Sequence, residues 1–186
     1  MKTVFGPDVQ IVLVPGLHDS GPDHWQSRWH RTMPGSLRVE QDDWDRPDLD
    51  AWSARLERVL VRDGRRNILV AHSFGCLVAV HRIAQGGAGY IGGALLVAPA
   101  DPGKFGLTSS VPATELACPT LMVSSRNDPW MAEACAAGWA RRWGSILLDA
   151  GALGHINAES GLGGWQFGLD ALQRLIDMAH GDVLSK

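Results

Sequence analysis

Ser73 stands in Ala71-His72-Ser73-Phe74-Gly75, between an apolar run, Asn67–His72, and a second apolar stretch, Cys76-Leu77-Val78-Ala79-Val80. A serine at the apex of a strand, sharp turn and helix is placed to attack a carbonyl carbon. Its hydroxyl lies outside the strand end, and the first N–H groups of the helix point at it. The nucleophile-elbow pattern is Gly-x-Ser-x-Gly. Here Ala71 replaces the first glycine. That position demands smallness, because strand and helix cross closely, and alanine adds one methyl. A serine before a helix is also a common helix cap, so partners must decide between the two roles. His72 neighbours the serine, should point away from it and reads as structural.

A serine hydroxyl needs a base, and the base needs a carboxylate to fix its tautomer. In this pattern the chain order is serine, acid, histidine. His18, His24, His30, His72 and His81 lie near or before Ser73, and His180 ends the last expected helix. His155 remains, in the glycine-rich loop Gly151-Ala152-Leu153-Gly154-His155-Ile156-Asn157. The acid should follow the fifth strand, where Ser124-Ser125-Arg126-Asn127-Asp128-Pro129-Trp130 offers Asp128. Asp101, after the fourth strand, is the rival. Asp149 sits too close to its own strand to reach around His155. An oxyanion hole would use backbone N–H groups of Leu17, after the first strand in Val14-Pro15-Gly16-Leu17, and of Phe74. His18, Trp25 and Trp130 are the candidates for shaping a pocket, although His18 is equally a turn residue. The eight tryptophans could line a pocket or fill the core.

The elements that must position these residues alternate along the chain. Strands are expected at Gln10–Val14, Ser36–Glu40, Asn67–His72, Gly92–Ala98, Thr120–Ser124 and Ser145–Leu148. Helices are expected at Asp23–Thr32, Leu49–Asp63, Phe74–Ala84, Met131–Trp143 and Gly164–Ala179. Continuous apolar strands such as Ile-Val-Leu-Val are covered on both faces, and strand–helix alternation means a parallel sheet with helices on either side. Functional residues then sit past the carboxyl ends of the strands. Pro99–Pro119 has no clear period and reads as an excursion over the sheet edge. Gly181–Lys186 reads as a frayed tail.

Taken together, these residues resemble the α/β-hydrolase superfamily, and more closely its small serine hydrolases of the retinoblastoma-binding protein nine type. The shared features are Val14-Pro15-Gly16 with Ser20 and His24-Trp25, then Ala71-His72-Ser73-Phe74-Gly75. Asn127-Asp128-Pro129 and Gly154-His155-Ile156-Asn157 with Ser160-Gly161 complete the set. The resemblance covers essentially the whole chain. It implies a three-layer α/β-hydrolase fold with a six-stranded parallel sheet in the order 2-1-3-4-5-6. It also implies a triad of Ser73, Asp128 and His155 that hydrolyses small esters or amides. Only about twenty residues separate the fourth and fifth strands, where larger relatives insert a cap, so the cap should be minimal or absent and the site open.

Composition bounds the remaining possibilities. The chain has 186 residues, the size of one domain, taken as 1–186. Lys and Arg total 17 against 20 Asp and Glu, a net charge of −3 that gives no reason to expect nucleic acid or an anionic membrane. The run Ile11–Val14 is too short for a signal segment or a membrane span. Three scattered cysteines disfavour a disulfide framework or zinc site, so a cytoplasmic setting is expected. Gly16 and Gly75 fit no phosphate-binding pattern, and neither metal nor cofactor is expected. The expected partner is a small ester or amide, and the chain is expected as a monomer or small homo-oligomer. The alternatives are a protein-binding module on a hydrolase scaffold, with tryptophans as the adhesive surface, and an acyltransferase.

Overall fold

The computed structural model describes residues 5–86 and 89–181. Six parallel strands form one sheet: β1 (Val9–Val14), β2 (Leu37–Arg38), β3 (Arg66–His72), β4 (Ile91–Val97), β5 (Thr120–Ser124) and β6 (Ile146–Asp149). Their order is β2-β1-β3-β4-β5-β6, as the family resemblance implies. Five helices alternate with them: α1 (Trp25–Thr32), α2 (Leu49–Val59), α3 (Phe74–Ala84), α4 (Glu133–Trp143) and α5 (Gln166–Gly181).

The continuous apolar strands feed two separate cores. Val12, Val14, Leu69, Ala71, Ala94, Leu96 and Met122 point to the face covered by α2, α3 and α4. Their neighbours Ile11, Leu13, Ile68, Val70, Leu95, Val97, Leu121 and Val123 point to the face covered by α1 and α5. A strand whose successive side chains all enter a core must be apolar at every position, which is why these segments lack alternation. At the sheet edge β6 is largely exposed.

Several boundaries differ from expectation. β2 pairs over only two residues, Leu37 and Arg38 against Val12 and Leu13. Edge strands need pair only where a partner runs beside them, and past Val39 this chain leaves the sheet. α2 ends at Val59 rather than Asp63. The side chain of Asn67, fully buried, accepts from Val61 N–H at 3.0 Å and donates to Val61 and Tyr90 carbonyls, both at 2.9 Å. These bonds take Val61 out of helical geometry, an override that no periodicity contains. The helix begins as expected, with Asp48 accepting from Ala51 N–H at 3.0 Å, a cap that contributes about 1 kcal/mol.

The excursion 99–119 contains one short turn of helix, Pro102–Phe105, and buries Val111 and Leu116 against the core. Trp143 Nε1 donates to Pro112 carbonyl at 2.8 Å and Leu116 N–H to Trp143 carbonyl at 3.1 Å. The segment therefore lies flat on the domain and builds no cap. Among the described residues no helix is long and apolar enough to cross a membrane. The expected tail lies, beyond Gly181, outside the described residues.

Candidate active site

Ser73 sits between β3 and α3 with φ 54° and ψ −123°. A side chain at positive φ costs on the order of 1–3 kcal/mol and persists only where the surroundings impose it. Here Ser73 N–H donates to Val97 carbonyl at 3.1 Å, while its carbonyl accepts from Cys76 at 3.0 Å and Ala100 at 3.2 Å. The strand to one side and the helix ahead thus fix both ends of the turn. Two glycines let the chains close on it. A Cβ on Gly75 would lie 2.3 Å from Val14 carbonyl oxygen, and one on Gly16 would lie 2.7 Å from Ser73 Cβ. Ala71, two residues before Ser73, lies fully buried in the core, and its methyl is accommodated.

Ser73 makes no side-chain cap to its helix. Its Oγ instead lies 2.8 Å from His155 Nε2. On the other side of the ring, His155 Nδ1 lies 3.0 Å from each carboxylate oxygen of Asp128. A carboxylate only accepts, so Nδ1 carries the proton, and Nε2 is left to accept from the Ser73 hydroxyl. The Asp128 side chain is 2% exposed. Its Oδ1 also accepts from Trp130 N–H at 2.9 Å. Asp101 is elsewhere, capping Gly103 N–H at 2.9 Å. Asp149 pairs with Arg126.

The loop carrying His155 is stitched from beneath. Ser125 Oγ accepts from Leu153 N–H at 2.9 Å and donates to Asn127 Oδ1 at 2.9 Å, which accepts from Gly154 N–H at 2.7 Å. His72 Nε2 donates to His155 carbonyl at 2.9 Å, and Trp25 Nε1 donates to Ile156 carbonyl at 2.9 Å. Ile156 itself has φ 47°. From the sequence alone Ser125 has no assigned role, Asn127 stands only within the motif shared with the family, and His72 reads as structural.

Trp25 is a correction. Expected in the pocket wall, it is 1% exposed and packs between Trp29 and Trp165, with ring centroids 4.8 Å away in each case. A tryptophan at a helix start can face either way, and α1 turns this one inward. His18 and Trp130 do line the cavity mouth; Trp130 is 51% exposed, and His18 bonds Asp45 at 2.8 Å. Most of the other tryptophans fill the two cores.

Leu17 lines the same cavity as Ser73, and Gly16 packs against the Ser73–Phe74 turn. Among the described residues the backbone N–H groups of Leu17 and Phe74 donate to no protein acceptor. The loop is held by Gln26, fully buried, which sequence reasoning missed. Its Nε2 donates to Val70 carbonyl at 2.9 Å and Val14 carbonyl at 3.3 Å, and its Oε1 accepts from Ser20 Oγ at 2.6 Å. A glutamine inside a short amphipathic helix carries no signal of such a role.

The cavity holds about 350 Å³. A second depression of about 450 Å³ lies at the opposite ends of β3 and β4, where Arg62 and Arg65 are paired with Glu57 and Asp63. Beside Ser73, the rings of His24, His72 and His155 follow one another at centroid distances of 4.7 and 5.0 Å. Burial pushes His24 down to about 4 and His72 well below the ordinary histidine value, with positive charge on neighbouring histidines acting the same way. Among the described residues no group of three His, Cys, Asp or Glu side chains is placed to hold a metal.

Residues 11–174 match the family model described as serine hydrolase. A YdeN-like hydrolase from Pectobacterium atrosepticum is 43% identical over 93% of this chain and 91% of its own, with a TM-score of 0.86. The ydeN gene product of B. subtilis is 17% identical over 90% of this chain and 98% of its own, with a TM-score of 0.70. Acyl-protein thioesterase 2 of Zea mays is 15% identical over 92% and 94%, with a TM-score of 0.61. The last two likenesses are of fold. No curated protein matches the chain. The fold is that of an α/β hydrolase, and the chain belongs to the serine hydrolase family.

Proposed function

We propose that the protein hydrolyses small carboxylic esters or amides through an acyl-enzyme on Ser73. The observation that carries this reading is the hydrogen-bonded chain from Ser73 Oγ through His155 to Asp128, on a serine whose backbone is held at positive φ. His155 Nε2 takes the hydroxyl proton as Ser73 Oγ bonds to the carbonyl carbon. Asp128 stabilises the imidazolium that forms. The oxyanion sits against the N–H groups of Leu17 and Phe74, and each such donor contributes about 3 kcal/mol in the transition state. The intermediate then collapses: the bond to the leaving group breaks, and His155 returns its proton to the departing oxygen or nitrogen. Water, activated by His155, releases the acid and restores Ser73.

The same proposal places the chain among the hydrolases of the retinoblastoma-binding protein nine type, on the motifs around Ser73 and His155. A cytoplasmic setting is supported by its three widely spaced cysteines.

Intact mass after treatment with a fluorophosphonate tests the reading. A single adduct on the native protein, absent from Ser73→Ala and from heat-denatured protein, is expected, followed by turnover in an ester and amide screen. Well-folded protein that takes no adduct would overturn it.

A further inference from the structure

The cavity over Ser73 is two-sided. One flank is Leu17, Ala100 and Phe105, which pack into the core on the α2–α4 face of the sheet. The other flank belongs to the opposite face. It is formed by His24, which caps α1, and by Asn157 and Glu159, in the segment that leads from His155 to α5. Ser73 lies on the crest between the flanks. The first flank presents its three apolar side chains and the second polar ones, with His18, Asp19 and Trp130 also lining the cavity, so the two halves of an ester would not be bound alike.

The chemistry orients the ester. On acyl-enzyme formation His155 delivers its Nε2 proton to the departing atom, so the leaving group must lie against His155. Asn157 and Glu159 follow His155 by two and four residues and line the cavity with it. The acyl group is then left to the flank of Leu17 and Phe105.

The polar flank has unmet capacity of a definite kind. His24 is 3% exposed, and its Nδ1 accepts from Gln26 N–H at 3.2 Å, so the neutral ring carries its proton on Nε2. Among the described residues that Nε2 has no hydrogen-bond partner. A buried donor without an acceptor is costly unless a ligand supplies one. The sign of the charge is equally one-sided. Among the described residues no lysine or arginine lines the cavity, and the carboxylate of Asp19 is already paired with Arg38. Glu159 is exposed and, among the described residues, pairs with no cation. The Lys104 ammonium is held at Pro129 carbonyl over the Trp130 ring, at the other rim.

We propose that the site selects esters of a short apolar acid with a polar, positively charged leaving group, the cation facing Glu159. This rests on the reading of Ser73 as nucleophile. Acylation forms the Ser73 Oγ–carbon bond and breaks the bond to the leaving-group oxygen, which departs as the alcohol with the proton from His155.

The test compares butyrylcholine with 3,3-dimethylbutyl butyrate, an ester of nearly the same shape without the charge. The readout is the ratio of their kcat/KM values at low ionic strength in wild type, Glu159→Gln and Glu159→Lys. A carboxylate roughly 6 Å from the cation at a solvated rim favours the charged ester about three- to tenfold. Glu159→Gln is expected to lower the ratio by that factor, and Glu159→Lys to lower it further. A ratio that moves less than twofold on Glu159→Gln overturns the inference, as does an active wild type that turns over neither ester. Fluorophosphonate labelling of the same samples separates the two readings. Retained label without charge selection removes only this inference, whereas absent label on folded wild type removes the Ser73 mechanism beneath it.

Discussion

His72 Nε2 donates to the backbone carbonyl of His155 at 2.9 Å, so the residue beside the proposed nucleophile also carries the backbone of the proposed base. Ser73 and His155 are thereby located by one short segment, although 82 positions separate them. Trp25 does the same for the next carbonyl, at Ile156. Two ring N–H donors from beneath hold a loop whose backbone is strained at Ile156.

His72→Phe keeps a ring in place and removes the donor. The carbonyl it leaves unpaired costs about 1–3 kcal/mol, measurable by urea unfolding. Turnover should fall on the order of ten- to a hundredfold with KM nearly constant, because the loop that aims Nε2 at Oγ is loosened. An unchanged kcat in a destabilised variant would show that the bond serves folding alone.

Asp128→Asn and Asp101→Asn separate the two carboxylates that the sequence offers. Asp128 faces His155 Nδ1, and an amide there cannot hold the same tautomer, so kcat should drop about 10³- to 10⁴-fold. Asp101 only caps a turn, a task asparagine also performs, and Asp101→Asn should retain near wild-type turnover. Steady-state kinetics on one activated ester decides.

Gly75→Ala should be among the most damaging single-methyl changes in the chain. Its Cβ would meet two backbone oxygens, of Val14 at 2.3 Å and Pro15 at 2.5 Å, and neither can swing aside. A loss of about 3 kcal/mol or more, or failure to fold, is expected. Gly138→Ala, within α4 and with only Arg142 Nη1 at 3.6 Å, should stabilise by about 0.5–1 kcal/mol. Thermal unfolding of the pair checks both signs.

Stability should fall on mild acidification. His24 titrates at about 4 in the folded protein against 6.5 for an ordinary histidine, because burial disfavours its charged form. The unfolded chain therefore binds the extra proton first. The contribution is absent above about pH 6.5 and grows as pH falls toward 4, reaching at most about 3 kcal/mol of destabilisation. His72, shifted in the same direction, adds to it. His24→Asn, which can still cap α1, should flatten urea midpoints measured between pH 4.5 and 7. A wild-type midpoint that is constant over this range would contradict the assignment.

The strand–helix alternation followed from the sequence because it rests on local signals, apolar runs and turn residues, whereas the sheet order came with the family resemblance. Ser73 and His155 were equally visible. A small-residue turn between a buried strand and a helix is a local feature, and so is a glycine-rich loop after the last strand. The choice of Asp128 over Asp101 was not local, since both follow a strand in a turn and only the distance to His155 divides them. Trp25 was misplaced for the same kind of reason. A tryptophan suits a pocket wall as well as a core, and the rotation of α1 against Trp165 is a packing outcome. The end of α2 was set by Asn67 and the loop after β1 by Gln26, each a buried amide satisfying backbone groups far away in the chain. Amino-acid type and spacing determined which elements form and which residues carry reactive groups. The tertiary structure decided which polar groups meet, because a hydrogen bond depends on separations of about 3 Å between segments whose spacing in sequence says nothing of distance.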